Sequence, residues 1–268
     1  ERIQEIVLEI LEKLGPSNKV AVVPPDITRF HSQAGFVGGV IGSYYQDRLK
    51  AIIPALGSHT PMTESEITKM YCDLPRNLFR VHKWRTEVDE LGRVPGEILA
   101  ELSEGKLDFS YPVQVSSILN REGFDRIISV GQVVPHEVIG MANHNKNIFV
   151  GTGGSEAINK SHYLGAVYGM ERIMGRAKTP VRDLLNYGSK EFAKHLPIVY
   201  ILTVVGREES GELAVKGIFA GDGEECFLKA AELSATVNIC FLDKPIQKAL
   251  VYLDPEEYRS TWLGNKAI

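Results

Sequence analysis

The sequence predicts an α/β protein with a largely parallel sheet flanked by helices. Short apolar runs of the kind that form buried strands alternate with segments whose apolar residues recur at helical spacing. This alternation favours a parallel sheet. At 268 residues, with 44% hydrophobic and 24% charged residues, the chain is long enough to bury a substantial core and has the composition of an ordinary globular protein.

The amino-terminal half predicts strands that end in polar turns. A run of apolar residues at helical spacing stops at Gly15-Pro16, and a short apolar run stops at Pro24-Pro25. Thr63 and Glu66 have the spacing of a capping box, which predicts a helix starting there. The predicted elements are a helix over 3–14, strands over 19–23, 49–56 and 126–134, and a glycine-containing helix, weak or tightly packed, over 32–47.

The carboxyl-terminal half predicts the same alternation. A short strand over 148–150 is expected before a glycine-rich turn over 151–154, and Ser155 is expected to cap the helix that follows. The polar stretch over 83–108 is typical of a loop, an insertion or a lid. The other predicted elements are strands over 198–205 and 212–220 around a turn at 207–211, a helix over 224–235 and a final strand over 248–253.

Composition and charge argue against several classes of function. The formal net charge of −4 gives no reason to expect nucleic acid or an anionic membrane as a partner. No apolar run approaches the roughly 18 residues that span a bilayer, and no signal peptide opens the chain. Three scattered cysteines argue against a disulfide framework and against a cysteine-based zinc site. We therefore expect a cytoplasmic protein.

Three polar residues follow three predicted strands at their carboxyl ends. Arg29 lies in an Asp-Ile-Thr-Arg loop, His59 in a Gly-Ser-His-Thr-Pro turn, and His136 directly after a proline. Open α/β sheets bind ligands at this edge, because the loops that follow parallel strands meet there. We therefore expect these residues to converge on one pocket.

Each of these residues has a catalytic and a structural interpretation. The guanidinium of Arg29 suits a carboxylate clamp, and the alternative is an ion pair with Asp26 that only fixes the turn. His59 and His136 suit general acid–base catalysis, and the alternative for each is a structural histidine. Two bases on opposite faces of one carbon are what a racemase or epimerase needs.

A second group of candidates surrounds the glycine-rich turn. Lys146, between two asparagines, is either a solvated surface charge or a partly desolvated nucleophile. The turn over 151–154 precedes a predicted helix, where free N–H groups favour a phosphate, although its spacing matches neither the dinucleotide fingerprint nor the P-loop. His162, on the Ile158 face of that helix, is either a core histidine or a metal ligand.

In this order and spacing, the motifs resemble those of the nickel-dependent lactate racemase family. Members carry an Asp-x-Thr-Arg loop, a Gly-x-His turn and a Pro-His-x-x-x-Gly segment, followed by a lysine and a further histidine. In this chain His136 is followed by Lys146 after ten residues and by His162 after sixteen more, as in the family. Near the carboxyl end, Lys266 resembles the family's late substrate-binding lysine.

The resemblance implies a racemase or epimerase that abstracts hydride from a 2-hydroxy acid and returns it through a nickel-pincer nucleotide. This cofactor is of the pyridinium-3,5-bisthiocarboxylic acid mononucleotide type. Lys146 would hold it through a thioamide, and His162 would complete the coordination of nickel. His59 and His136 would be the paired acid–bases. The residues implied in substrate binding are Asp26, Arg29 and Lys266, and those implied in cofactor binding are Lys146, Gly151, Gly153 and Gly154.

The resemblance also implies a domain organisation and partners. Residues 1–268 would form the N-terminal catalytic domain. A second, smaller α/β domain that closes over the cofactor is expected to be missing, since the chain opens on Glu1 and stops at Ile268 inside helical runs. The implied partners are a small-molecule 2-hydroxy acid and the proteins that synthesise the cofactor.

The chain departs from the family pattern at several positions. Asn143-His144-Asn145 stands before Lys146, where the family has Ser-Gly-Gly-Arg. Phe30 replaces a proline, and Leu263 replaces a glutamine of the lactate enzyme. Loss of that polar contact favours a 2-hydroxy acid other than lactate, larger or sugar-derived.

Two other functions remain open from the sequence. A non-catalytic nucleotide- or metal-binding module of the same fold is compatible with Lys146 and His162, but the presence of both His59 and His136 tells against it. A zinc- or nickel-dependent hydrolase with histidines as direct ligands is weaker, because no carboxylate and no close histidine pair accompany them. The remaining histidines have no predicted catalytic role: His31, His82 and His195 lack neighbours that make a site, and His144 is at most a supporting residue.

Overall fold

The computed structural model describes residues 2–72, 74–244 and 246–253, and contacts divide the chain into two units, residues 1–238 and 239–268. The helices of the first unit are α1 (Arg2–Leu14), α2 (Ala34–Tyr45), α3 (Glu64–Tyr71), α4 (Gly96–Leu102), α5 (Ser117–Arg121), α6 (Asn145–Phe149), α7 (Ser155–Tyr168), α8 (Met170–Ile173), α9 (Pro180–Phe192) and α10 (Glu224–Asn238). Its strands are β1 (Val20–Val23), β2 (Leu49–Ile52), β3 (Val88–Val94), β4 (Tyr111–Ser116), β5 (Arg126–Gln132), β6 (Pro135–His136), β7 (Gly140–Met141), β8 (Ile198–Arg207) and β9 (Leu213–Gly221).

Five strands form the central sheet in the order β2-β1-β5-β8-β9. β1 pairs in parallel with β2 and β5, β8 joins β5 in parallel, and β9 turns back antiparallel to β8. The predicted α/β class with a largely parallel sheet is confirmed. β1 is buried along its whole length, which explains why its sequence, Val-Ala-Val-Val, does not alternate with polar residues.

Helices α1, α2 and α3 pack with β1 and β5 around one apolar core. Val7 and Leu11 form the buried stripe of α1. An added Cβ at Gly35 would lie 1.7 Å from the Met70 carbonyl oxygen, so glycine is what lets α2 lie directly against α3. The predicted capping box at Thr63 is present at the start of α3.

The structure differs from two of the elements predicted in the first unit. Residues 148–150 belong to α6 and its carboxyl end rather than to a strand, because three apolar residues do not distinguish a buried helix from a strand. The stretch over 83–108 is not a loop: it contains β3 and α4, and β3 pairs antiparallel with β4 in a separate two-stranded sheet. Helix α9 was not predicted, although Thr179 and Pro180 give it a recognisable start.

The described part of the second unit, residues 239–244 and 246–253, contains neither helix nor strand, so the strand predicted over 248–253 is wrong. Lys266 and Leu263 lie outside the described residues. None of the described helices is both long and apolar enough to cross a membrane. All three cysteines are free, in agreement with the predicted absence of a disulfide framework.

Candidate active site

The candidate site is built from loops that leave one edge of the central sheet. β2, β1 and β5 are adjacent and parallel, so their carboxyl ends lie side by side. The loop after β1 carries Asp26 and Arg29, the loop after β2 carries His59, and the chain after β5 reaches His136 in β6. This edge is where open α/β sheets bind ligands.

Asp26 and His59 are brought into direct contact. The Nδ1 atom of His59 lies 2.6 Å from Oδ2 of Asp26, and the other carboxylate oxygen accepts bonds from the backbone N–H and the hydroxyl of Thr28 at 3.1 and 2.5 Å. Burial of Asp26 by itself would raise its pKa, but the hydrogen bond and charge of His59 and the bonds from Thr28 outweigh this and hold the pKa below its usual value. Asp26 is therefore an ionised acceptor.

This pair fixes the tautomer of His59. A carboxylate only accepts, so the proton of the neutral ring is on Nδ1 and the lone pair is on Nε2. The side chain of His59 is 46% exposed, whereas that of Asp26 is 6% exposed. His59 is thus an accessible base oriented by a buried carboxylate, an arrangement suited to proton transfer.

Arg29 does not form the ion pair with Asp26 that was the structural alternative. Asp26 is the amino-terminal cap of a 3-10 turn, Ile27–Ser32, and the backbone N–H of Arg29 donates to its carbonyl at 3.0 Å. The Arg29 side chain is exposed, and its guanidinium makes no hydrogen bond or ion pair with any described residue. A guanidinium in this state is available to bind a carboxylate.

His136 is held in the opposite tautomer. It is buried, and its Nδ1 accepts a hydrogen bond from the Val138 N–H at 3.0 Å, so the proton of the neutral ring is on Nε2. Oε2 of Glu137 lies 3.5 Å from the same Nδ1. A ring protonated at Nδ1 would therefore face a carboxylate. In the neutral state Nε2 therefore carries the lone pair in His59 and the proton in His136.

Lys146 lies in the first turn of α6 and is half-buried. This helix is fixed to the sheet by Asn147, whose amide donates to Val23 O and to Ser129 Oγ, both at 3.0 Å. Those partners are the last residue of β1 and a residue of β5. Lys146 is therefore carried by a helix that is tied to the same strands as Asp26 and His136.

The backbone just before Lys146 is in a conformation that favours glycine. Asn143 has φ 68°, and His144 has φ 58° with ψ −134°. These are two of the positions at which the resembled family has glycine. The backbone conformation of a Gly-Gly sequence is thus adopted here by residues that carry side chains.

A buried polar cluster that sequence analysis missed surrounds this segment. Arg182 of α9 is fully buried and donates to the carbonyl oxygens of Met141 and Asn143 at 2.6 and 3.1 Å. The His144 ring packs against Tyr200 at an interplanar angle of 36°, with ring centroids 4.0 Å apart. Its Nε2 donates to Gly223 O at 3.2 Å. These contacts join residues 39 to 79 positions apart, so no local motif signals them.

The same cluster has unusual titration properties. Burial, followed by the charge of Arg182, lowers the pKa of His144 to about 3, so this ring is neutral near pH 7. Burial lowers the pKa of Arg182 to about 9. His144 Nδ1 and Arg182 Nε are buried without a hydrogen-bond partner among the described residues. His144 was predicted to be at most a supporting residue, and it is a buried structural one.

His162 has the bonding expected of a metal-ligating histidine. It is half-buried on α7, and its Nδ1 donates to the Ile158 carbonyl at 2.7 Å, which leaves the lone pair of the neutral ring on Nε2. An added Cβ at Gly165 would lie 3.0 Å from Val138 O, so α7 approaches the turn after His136 closely. His162 is on the same face as Gly165, one helical turn away.

The glycine-rich turn is tightly packed against the protein itself. An added Cβ at Gly151, Gly153 or Gly154 would lie 2.4, 2.1 or 2.4 Å from Asn147 O, Phe149 O or Gln114 Oε1, respectively. This packing accounts for the three glycines without a bound phosphate. Gly154, rather than Ser155, caps α7, and Gln114 Oε1 accepts from the N–H of Ala157. Phosphate binding by this turn stays a prediction.

Two contacts connect this turn to the rest of the site. The N–H of Gly57, in the turn that carries His59, donates to Gly151 O at 2.8 Å. His82 is buried, and its Nε2 donates to Gly153 O at 2.9 Å; burial lowers the pKa of His82. Sequence analysis found no neighbours that place His82 in a site, because its partner is a backbone atom 71 residues away.

The described residues contain no group of three or more His, Cys, Asp or Glu side chains placed to hold a metal ion. A single histidine such as His162 fits a metal whose other ligands come from a cofactor.

Comparisons with known proteins agree with the fold. The family model of the lactate racemase N-terminal domain matches residues 6–173. A solved structure of a protein from Thermotoga maritima is 25% identical, with a TM-score of 0.78, over 92% of this chain and 61% of that one. The lactate racemase apoprotein from Thermoanaerobacterium thermosaccharolyticum is 18% identical, with a TM-score of 0.61, over 86% of this chain and 54% of that one, a likeness of fold alone. The chain thus spans less than two thirds of either structure, and no curated protein sequence matches it.

Proposed function

Because the chain belongs to the lactate racemase N-terminal domain family, we propose that it takes part in interconverting the stereoisomers of a 2-hydroxy acid. The observation that carries this proposal is the Asp26–His59 pair, an accessible imidazole held by a buried carboxylate at the ligand-binding edge of the sheet. His136, held in the opposite tautomer on the neighbouring loop, supports it further.

The protein's own residues supply binding and proton transfer. The guanidinium of Arg29 binds the substrate carboxylate, and Nε2 of His59 takes the proton of the substrate hydroxyl. Asp26 orients the ring and stabilises the imidazolium that forms. His136 donates a hydrogen bond from its Nε2–H to the substrate oxygen. To act as the base for the other stereoisomer, it would carry its proton on Nδ1, beside the carboxylate of Glu137, and present the lone pair on Nε2.

The residues fit a nickel-pincer nucleotide carried by Lys146. Lys146 is a primary amine on a helix fixed to the sheet, and it would hold the nucleotide through a thioamide. His162 would bind nickel through Nε2, since its Nδ1 is engaged with a carbonyl. The chemistry that this cofactor supplies when bound is the uptake and return of hydride at the α carbon. Enzymes that make the cofactor are therefore proposed partners.

The departures from the family pattern at Phe30 and Leu263 favour a substrate other than lactate, larger or sugar-derived. We further propose that residues 1–268 form the N-terminal catalytic domain of a cytoplasmic enzyme and that Lys266 completes substrate binding.

Intact-mass and nickel analysis of protein co-expressed with the cofactor-making enzymes tests this proposal. We expect a nickel-bearing adduct on the wild type and on Lys194→Ala, a matched control at an exposed lysine, but none on Lys146→Ala. Adduct-bearing protein is then assayed for racemisation of 2-hydroxy acids of increasing size. A folded wild type without adduct would overturn the cofactor assignment. Adduct without turnover of any of these acids would favour the non-catalytic binding module.

A further inference from the structure

We propose that Arg182 is a positioning residue for Lys146. It holds the backbone of Asn143 and His144 in a conformation that two glycines would adopt without such contacts, and we call its two hydrogen bonds to this segment the clamp. Asn143 and His144 both have positive φ, and the φ, ψ pair of His144, 58° and −134°, is one that a Cβ atom opposes. Such strain persists only where surrounding contacts impose it. Lys146 follows two residues later, so the strained segment sets where α6 begins.

Arg182 makes the contacts that impose this conformation. Its two terminal nitrogens donate to Met141 O, before the strained pair, and to Asn143 O, within it, so one planar guanidinium fixes two peptide groups. The side chain enters from α9, 41 positions along the chain, and is 0% exposed. Its Cζ atom lies 4.0 Å from the centroid of the Phe227 ring, which holds the guanidinium plane from α10.

The burial of this cation indicates that the clamp has a function beyond core stability. No carboxylate forms an ion pair with Arg182 among the described residues, and its Nε has no partner there. Burying a charge on carbonyl groups alone is costly compared with an apolar core. The carbonyls that it binds belong to the segment that presents Lys146, and the clamp keeps that segment in one conformation.

Two smaller contacts assist the clamp from within the segment. Asn143 Oδ1 accepts the N–H of His144 at 2.7 Å, which satisfies the amide turned away by the positive φ. Tyr200 donates its hydroxyl to Asn145 Oδ1 at 2.5 Å, at the first residue of α6. Neither contact reaches the Met141 or Asn143 carbonyls, so Arg182 is not redundant with them.

Hydrogen exchange of the peptide that covers residues 141–149, measured in the cofactor-free chain, tests the clamp. We expect Arg182→Met to speed exchange of this peptide by about tenfold, as expected when bonds from a charged donor are lost. Arg126→Met is the matched control, because Arg126 also donates to two carbonyls, Gly15 O and Leu14 O, at the opposite edge of the sheet. It should leave the exchange of residues 141–149 unchanged.

A glycine rescue separates positioning from general stability. In the Arg182→Met background, His144→Gly should return exchange towards the wild-type rate, since glycine adopts the required φ without a Cβ. His144→Ala in the same background loses the same imidazole packing but keeps a Cβ, and it should not rescue. The acylation rate of Lys146 by a succinimidyl ester, followed by mass spectrometry, should rise and fall with the exchange rate.

The functional consequence of the clamp rests on the proposed role of Lys146, whereas the exchange measurement does not. Unchanged exchange in Arg182→Met, or equal exchange in the glycine and alanine double variants, would overturn the clamp. A wild type that carries no nickel adduct would overturn the proposed function and leave the exchange result standing. If Arg182→Met does not fold, Arg182→Lys, which loses the fork but keeps the charge, takes its place with the same expected outcomes.

Discussion

The loop that holds His59 and the segment that presents Lys146 are fixed in different ways. Asp26, Thr28 and His59 form a short-range network on a backbone that needs no unusual conformation at these residues. The segment before Lys146 is strained, and side chains from α9, β8 and α10 hold it. The first arrangement depends on a few polar groups in direct contact, whereas the second depends on packing from three other elements. Substitutions should therefore affect chemistry in the first region and local structure in the second.

Asp26→Asn should give the largest effect. The amide no longer favours Nδ1–H on His59 or stabilises its imidazolium, so we expect kcat for racemisation to fall about 10²- to 10⁴-fold, the usual contribution of a positioned acid–base. Steady-state kinetics on adduct-bearing protein measures this change. Asp47→Asn, at an exposed carboxylate, is the control and should keep the wild-type rate. A wild-type kcat for Asp26→Asn would show that Asp26 only shapes its turn.

Lowering the pH should destabilise the region around Lys146 before it destabilises the region around His59. The folded-state pKa of His144, about 3, lies below the unfolded value of 6.5. Between these pH values the unfolded chain therefore binds more protons than the folded chain. The contribution of His144 to the free energy of unfolding is fully present above pH 6.5 and is lost as the pH falls. At pH 4 this loss amounts to about 3 kcal/mol from His144. The lowered pKa of Asp26 has its main effect below 3.8, so most of the loss from His144 precedes it as the pH falls.

Urea unfolding of the wild type and of His144→Phe between pH 7 and pH 4 checks this expectation. Phenylalanine keeps an aromatic ring between Tyr200 and Phe227 but does not titrate, so its stability should depend less on pH. His31→Gln, at an exposed histidine, should keep the wild-type slope. Equal slopes for wild type and His144→Phe would contradict the assignment of the acid sensitivity to this cluster.

Tyr200→Phe should have a smaller effect on the same region. Removal of the hydroxyl leaves the buried Asn145 Oδ1 without this donor, at a cost of about 2 kcal/mol in the free energy of unfolding. Thermal or urea unfolding measures it. Tyr163→Phe, at a ring that is 55% exposed, is the control and should change stability by less than about 0.5 kcal/mol. A loss no larger than that of the control would mean that the bond contributes nothing.

Thr28→Val should give the smallest effect. It removes the hydroxyl bond to Asp26 but leaves the backbone N–H bond in place, so we expect a loss of about 1 kcal/mol or less. The pKa of Asp26 should move up towards its usual value, and kcat should fall only a few-fold. Thr68→Val, at an exposed threonine of α3, controls for the loss of a hydroxyl. A drop in kcat as large as that of Asp26→Asn would show that activity depends on the Thr28 hydroxyl as strongly as on the Asp26 carboxylate.

The same contrast explains how much the sequence could predict. The α/β class, the strands that precede Arg29, His59 and His136, and the α3 capping box follow from local patterns, and these predictions are confirmed. The end of helix α6 was predicted as a strand, because residues 148–150 are a short apolar run that is compatible with either structure. β3 was missed because its residues are half-exposed and mostly polar or glycine.

The partners of individual side chains could not be predicted in either region. The sequence placed Asp26 beside Arg29 as a possible ion pair, but the partner of Asp26 is His59, 33 residues away. Arg182 and His82 carry no local signal, since each acts on backbone carbonyls of a distant segment. Such contacts depend on the tertiary fold, and a single sequence contains no pattern that indicates them.

The hydrogen bond from Gly57 to Gly151 limits how this protein can be redesigned. It joins two main chains directly, at 2.8 Å, so no exchange of side chains alone removes it. Lengthening or grafting the connection after β2 would pull on the glycine-rich turn that follows α6 and would disturb the anchoring of Lys146 as well as the position of His59. New substrate preference is therefore better sought by changing residues such as Phe30, which project from the scaffold, than by transplanting whole loops.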